Sequence, residues 1–432
     1  MNRHERRAAR RQGGTPAAAV RSPAQALLGE ALNDHQADRL DDAAKLYRRI
    51  LAQESAHQPA HQAALANLGM LHHQRRDLAE AEAWYIKALA VRRTPELLNN
   101  LALLRREQAD LTGAEQLVRE ALKLRPDYAD ALYNLGVTLI DAGRPGEAIA
   151  PLFQRARDPT AGPDVHANLA RCFAAVGETE QARRHGRQSL LLKDQQACAD
   201  FRVRVGRPAT GDPAPPFDAT RPQLVAFSLW GARATYVDGM IANAGLVRTL
   251  YPGWTCRVYL DKFVPQPAVD KLRQAGAQIV AMPRAGSHYG LFWRFLAADD
   301  DQVQYFLCRD ADSRINTQEV AAVTEWLGSG QPFHVMRDAP FHTELMLAGL
   351  WGGVGGRLRG IRAWIDRFYR PTDHRWADQD FLRAEVWPRI REQTMIHDGF
   401  YDLFGARPFP VEGRLTAPDH VGASYQLPEK PE

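Results

Sequence analysis

The chain has 432 residues, 45% hydrophobic and 25% charged, with a formal charge of +4. That length exceeds what one core supports, so two or three globular domains are expected. A charge this small, without aromatics interleaved among basic residues or any zinc or groove-reading motif, argues against a nucleic-acid partner.

Residues 1–23 read as a disordered basic tail. Met1 to Arg11 holds five arginines against one glutamate, which leaves room for weak peripheral attraction to anionic lipid. No apolar h-region follows, so a secretory signal is not expected. No apolar run reaches the roughly 18 to 20 residues that span a bilayer. Cys172, Cys198, Cys256 and Cys308 are widely scattered and read as reduced thiols, so the expected location is the cytoplasm.

Small residues then recur on a fixed ruler: Ala31 with Ala43, Gly69 with Ala81, Ala102 with Ala114, Gly136 with Ala148, and Ala170 with Ala182. The spacing inside each pair is 12, and successive pairs lie 33 or 34 apart after a first step of 38. Four of the first members close an Asn-Leu-small triplet, at Asn67, Asn100, Asn134 and Asn168. Four residues after the second small one a larger side chain usually stands (Tyr47, Tyr85, Val118, Leu152), whereas the last unit has Gly186. Small residues facing each other let antiparallel helices approach closely, and repetition near 34 residues builds a solenoid. The pattern resembles the tetratricopeptide repeat, with units over roughly 24–194 inside an all-α domain at 24–203. Such arrays imply a protein-binding groove, and the bland alternative is a packing platform for the next domain.

Residues 204–221, rich in Pro and Gly, read as a linker. From 222 to 432 strand and helix alternate, with strands at Leu224–Leu229, Cys256–Leu260, Gln278–Met282, Tyr305 onward and Phe333–Arg337. Helices are expected at Tyr236–Leu250, through Lys271, and at Leu291–Ala298. This order predicts an α/β domain with a largely parallel sheet, whose ligands bind beyond the carboxyl ends of its strands. Asp310 and Asp312 fall at such an end. In extended backbone residues i and i+2 share a side, roughly 6 to 7 Å apart, and a hard divalent cation would relieve the repulsion between two carboxylates held there.

Four segments carry a second resemblance. Leu291-Phe292-Trp293-Arg294-Phe295, Arg309-Asp310-Ala311-Asp312, Met346 to Trp351, and Asp378-Gln379-Asp380-Phe381-Leu382 are similar in order to motifs of nucleotide-sugar glycosyltransferases of the GT-A, Rossmann-like fold. The closest likeness is to glycosyltransferase family 8, with some to family 32. The resemblance implies that Asp310, Asp312 and His397 hold Mn²⁺ or Mg²⁺. It also implies that Arg294, Arg309, Ser228 and Gly349 border a nucleoside diphosphate sugar, and that Asp378 and Asp380 act near the sugar and the acceptor. It further implies that Met346–Trp351 is a strand and small-residue segment lining the sugar pocket, and that the anomeric configuration is retained. The Lys-Pro-Trp continuation that this family carries after its late histidine is absent, since His397 is followed by Asp398-Gly399-Phe400. Arg294, Arg309 or Arg314 must then meet the diphosphate. A phosphatase of the haloacid-dehalogenase type would want Thr or Val where Arg314 stands. A protein or glycan acceptor recruited by the repeats is the expected partner. The alternative is a non-catalytic adaptor with a degenerate transferase domain. His334, Arg337 and His342 are further candidates for the acceptor side.

Overall fold

A computed structural model describes residues 22–56, 58–206, 218, 220–283, 288–370, 375–415 and 419–423. The basic tail up to residue 21 and most of the 204–221 linker (207–217 and 219) lie outside the described residues. Two compact units meet at Pro159 and Thr160.

The first unit is helical: α1 (Pro23–Gln36), α2 (Leu40–Gln53), α3 (Pro59–Gln74), α4 (Leu78–Val91), α5 (Pro95–Glu107), α6 (Leu111–Leu124), α7 (Ala129–Asp141) and α8 (Pro145–Ala156). The ruler of small residues is its packing code, and Ala31, Ala43, Ala81, Ala114 and Ala148 are fully buried. A Cβ on Gly69 would lie 2.6 Å from the Tyr85 ring, so the small residue of one helix receives the large one of the next. Each helix pair turns through a left-handed residue: Asp38, Arg76, Ala109 and Gly143. These positions repeat the 38, 33 and 34 steps of the ruler.

The second unit begins with one more pair, α9 (Pro163–Ala175) and the 26-residue α10 (Thr179–Arg204), which follows a left-handed Gly177. Its remainder is mixed α/β: β1 (Gln223–Leu229), α11 (Ala234–Leu250), β2 (Thr255–Leu260), α12 (Gln266–Gln274) and β3 (Gln278–Ala281) lead to a 3₁₀ segment at His288–Ala298. Then come β4 (Tyr305–Arg309), α13 (Thr317–Ser329), β5 (Phe333–Arg337), β6 (Trp351–Val354), α14 (Ile361–Phe368), α15 (Ala377–Phe381), a π turn (Leu382–Val386), α16 (Trp387–Ile390) and β7 (Thr394–Asp398).

The seven strands are ordered β3-β2-β1-β4-β6-β5-β7. Pairing is parallel from β3 through β4 and again between β5 and β7, while β6 runs antiparallel to both its neighbours. Alternation along the strands sorts side chains between two cores. Leu224, Ala226, Phe306 and Cys308 join the aromatic cluster under the 3₁₀ segment, and Val225, Phe227, Leu307 and Ala311 join the cluster under α11 and α13. Two local expectations are corrected. The helix expected at Leu291–Ala298 is a 3₁₀ segment, and strand begins only at Trp351, leaving 346–350 outside it.

The α9–α10 pair explains the break in the repeat pattern at Gly186. A Cβ there would collide with the Tyr401 ring, so an aromatic from the carboxy-terminal part of the chain packs against the position where other units carry their own large residue. Further bonds hold α10 in place. Arg183 and Arg187 donate to the carbonyls of Phe400 and Tyr401 at 2.6 and 2.7 Å. The buried Lys193 ammonium meets Glu344 at 2.5 Å and the Thr343 carbonyl at 3.0 Å. Asp194 accepts from the Trp387 indole at 2.7 Å and pairs with Arg391 at 3.2 Å.

Candidate functional site

The site gathers at the carboxyl ends of β1 and β4, neighbours in parallel register. β4 ends at Arg309, so Asp310–Ser313 form a turn, closed by Ser313 N–H to the Asp310 carbonyl at 3.3 Å, rather than extended chain. The face of α11 bearing Gly239 and Asn243 supports this turn. Gly239 packs on the Ala311 carbonyl, and the Asn243 amide donates to the Ser313 carbonyl at 2.8 Å. Burial, then the neighbouring Asp310 carboxylate, raises the pKa of Asp312. The two charges are therefore close enough to oppose each other.

Arg294 lies between two carboxylates. Its Nη1 is 2.8 Å from Asp310 and its Nη2 is 2.8 Å from Asp378. Ser228 positions it, accepting the Arg294 backbone N–H at 3.0 Å. Burial pushes the Asp378 carboxyl up to about 7 against the pull of Arg294, and the Asp310 charge adds to the rise. Gly349 stands against Asp310, where a Cβ would fall 2.5 Å from the Asp310 Cγ. Ser228, Arg294, Asp310, Asp312, Gly349 and Asp378 thus form one neighbourhood.

Other expected residues are elsewhere. Arg309 points to the opposite face of the sheet, where it pairs with Glu319 at 3.0 Å and donates to the Cys308 carbonyl at 2.8 Å. Alternation along β4 requires this, because Cys308 faces the 3₁₀ segment and Arg309 is the next strand residue. His397 is on the edge strand β7, separated from β4 by β6 and β5. It is fully buried, 2.8 Å from His334 and 3.3 Å from Glu325. The structure does not bring it to the aspartates, and no cluster of three or more His, Cys, Asp or Glu arranged for a metal occurs among the described residues. Asp380 turns away from Asp378 to pair with Arg383, and it borders a groove of about 570 Å³ beside Lys193 and Asp200 of α10. His334 and Arg337 are fully buried and His342 nearly so, with Arg337 paired to Asp398 at 2.8 Å. Trp351 is likewise buried, edge-on to Phe295 and Phe306.

Two arginines that the sequence did not single out act on Tyr236, which also feels the aspartates of this turn. Arg233 follows β1, its guanidinium 5.7 Å from the Tyr236 ring centre, and Arg375 lies over Trp376 at 4.7 Å. Burial, then the Asp312 carboxylate, raises the Tyr236 phenol, while Arg233 and Arg375 pull it back. Arg233 also pulls down the Asp312 carboxyl, so this cation lies within electrostatic reach of the aspartates. Neither has a carboxylate partner among the described residues. Their signal in the sequence is position alone: one follows the first strand and the other precedes the Asp378 helix.

Family comparison gives the class of the helical part. Models described as tetratricopeptide repeat match residues 62–94 and 99–166. The chain therefore carries tetratricopeptide repeats followed by a mixed α/β region with a seven-stranded sheet. Similar solved structures include YrrB, a tetratricopeptide protein described as having an unusual peptide-binding site, at 17% identity, 38% of this chain, 84% of that one and a TM-score of 0.33. Pseudomonas aeruginosa pilF is similar at 22% identity, covering 42% and 86% with a TM-score of 0.35. MamA is similar at 17%, covering 39% and 96%, also at 0.35. No curated protein matches the chain. Among the described residues, no helix is long and apolar enough to cross a membrane.

Proposed function

We propose that the second unit is a metal-dependent glycosyltransferase of GT-A type, moving a sugar from a nucleoside diphosphate donor with retention of configuration. In this reading the repeats engage the protein or glycan acceptor. The observation that carries it is the opposed pair Asp310 and Asp312 at a strand's carboxyl end, beside Arg294, Asp378 and Arg233, the last without a carboxylate partner among the described residues.

The donor set fits Mn²⁺ or Mg²⁺. Hard cations of this kind take one or two carboxylates and complete their shell with phosphate oxygens and water. Burial lifts Asp312 first and the Asp310 charge second, and a bound cation would relieve that second contribution. A metal held by Asp310 and Asp312 would supply Lewis-acid stabilisation of the departing phosphate. His397 has no part in this reading. Arg233 and Arg375 bind the diphosphate in place of the absent lysine. Arg294 orients Asp310 and Asp378 rather than contacting the donor freely. Asp378, near half-protonation at neutral pH, can hold or release a proton close to the sugar. Asp380 faces the groove and belongs to the acceptor side.

One observation favours the adaptor reading instead: Arg294 already bridges Asp310 and Asp378, as a permanent counter-ion would. Calorimetry with UDP-, GDP- and CMP-linked sugars, with and without Mn²⁺, separates the two. Metal-dependent binding that Asp312→Asn abolishes at unchanged melting temperature supports the transferase. Failure of every donor to bind would sink it and leave the adaptor.

A further inference from the structure

The turn that carries Asp310 and Asp312 is held by two elements distant in sequence. One is α11, which supports it through Gly239 and Asn243. The other is the strap of residues 419–423. The Arg314 N–H donates to the Ala423 carbonyl at 2.9 Å, and the Ser313 hydroxyl donates to the Gly422 carbonyl at 3.3 Å across 109 positions. Val421 anchors this strap. It is fully buried in one cluster with Ala322, Met336, Leu350 and Phe409, and its N–H donates to the Asp338 carboxylate at 3.1 Å. The same oxygen accepts from the Gln318 amide at 2.7 Å. Gly422 turns the strap at φ 86°, where a side chain would be strained, and an added Cβ would lie 3.0 Å from Leu350 Cδ1.

β4 ends at Arg309, so the sheet ladder does not fix the backbone beyond it. Asp310 is also held through its side chain, by Arg294 at 2.8 Å. Asp312 forms no ion pair among the described residues, so its backbone decides where its carboxylate lies. Opposed carboxylates favour separation unless the backbone restrains them. The strap supplies that restraint just past Asp312. Through Leu350 it also borders the segment whose Gly349 stands against Asp310. On the metal-dependent reading above, we propose that residues 421–423 are a positioning element for Asp310 and Asp312, holding the pair in the arrangement that takes a divalent cation. Ser313 is the positioning residue on the turn, and Gly422 is its counterpart on the strap. Groups that orient a metal's ligands without touching the metal change its affinity about 10- to 100-fold.

The test uses the full chain with Mn²⁺ alone, its binding read by calorimetry and by electron paramagnetic resonance. Ser313→Ala and Gly422→Ala should each weaken Mn²⁺ binding at least about tenfold, whereas Ser313→Thr, which keeps the hydroxyl, should bind as the wild type does. Amide hydrogen exchange should rise at residues 311–314 in both alanine variants and stay unchanged in β1 and β2. Should Gly422→Ala lower the melting temperature, Ser313→Ala decides alone, since it removes a single hydrogen bond. Unchanged Mn²⁺ affinity in Ser313→Ala overturns the positioning role and leaves the transferase reading standing. Weaker Mn²⁺ binding without the local rise in exchange overturns it too, because the loss is then general. A wild-type chain that binds no Mn²⁺ removes the transferase reading and the positioning role together.

Discussion

Replacing Arg294 by Met removes the one cation between Asp310 and Asp378 while roughly conserving volume. The Asp378 side chain is 5% exposed against 37% for Asp310, so Asp310 can turn to water and Asp378 cannot. Stranding one member of a buried pair costs about 3–5 kcal/mol. The carboxyl has an escape, because its pKa is already pushed up to about 7 and rises further once the guanidinium is gone. The full loss should therefore appear near pH 8 and shrink toward about pH 5, where the group is neutral in the native state. The wild type gives the same sign. A carboxyl at about 7 when folded and about 3.9 when unfolded retains a proton that the unfolded chain has released. Stability then falls as pH rises between those values, by up to roughly 4 kcal/mol, and Asp378→Asn should flatten the slope. Urea unfolding followed by tryptophan fluorescence reports on this unit, since of the nine tryptophans only Trp84 precedes Thr160. The reasoning fails if Arg294→Met costs less than about 1 kcal/mol near pH 8, or costs the same at both pH values. It fails equally if Asp378→Asn does not restore most of the loss in the double variant.

Gly349→Ala should destabilise the second unit by about 1–3 kcal/mol and displace the Asp310 carboxylate, which a crystal structure of the variant would reveal. Unchanged stability and position would count against the contact. His342 accepts the Asp338 N–H at 3.0 Å, and burial, with His420 and Arg337, lowers its pKa to about 3. Its contribution is present above the unfolded value of about 6.5 and is lost as pH falls toward 3, at up to roughly 1.4 kcal/mol per unit. His342→Asn should flatten the acid limb of a stability–pH profile. Ala109 sits at φ 63° where the equivalent turns use Gly143 and Gly177. Ala109→Gly should raise the stability of the first unit by about 0.5–1 kcal/mol, read from the denaturation midpoint of residues 22–159 expressed alone with Trp84 as the sole tryptophan.

The repeats were legible because their code is local: a small residue, twelve positions, another small residue, and a large one four further on. The grouping of Arg294, Asp310 and Asp378 was legible as motif order, although the contacts join residues up to 84 apart. The orientation of Arg309 is legible in the strand itself, since adjacent strand residues face opposite sides. The position of His397 was not readable, because nothing in the local sequence says that β7 joins the sheet beyond β5 rather than beside β4. Extended geometry does not describe Asp312, because the strand ends at Arg309 and a turn holds the pair. Arg233 and Arg375 are separated by 142 positions and belong to no motif, so only folding brings both to bear on Tyr236.

The fifth helix pair shows why a repeat code does not by itself fix what a repeat serves. Ala170 and Ala182 obey the ruler and are fully buried like their counterparts. The difference lies in the single position Gly186, which removes the repeat's own large side chain and admits Tyr401. Beyond it α10 runs on to Arg204, and its polar residues enter ionic chains with the segment carrying Asp378 and Asp380. Lys193 binds Glu344, Glu344 binds Arg383 at 3.1 Å, and Arg383 binds Asp380. Lys193 is 2% exposed, so removing it would leave Glu344 to Arg383 alone and open a buried polar void beneath α15 and the π turn. A truncation that ends the repeats after residue 194 would therefore strip the brace from Asp380 as well as the array. Only a cut at Thr160 leaves that network whole, and a loss of donor binding after the first cut but not the second would mark α10 as part of the site's own scaffold.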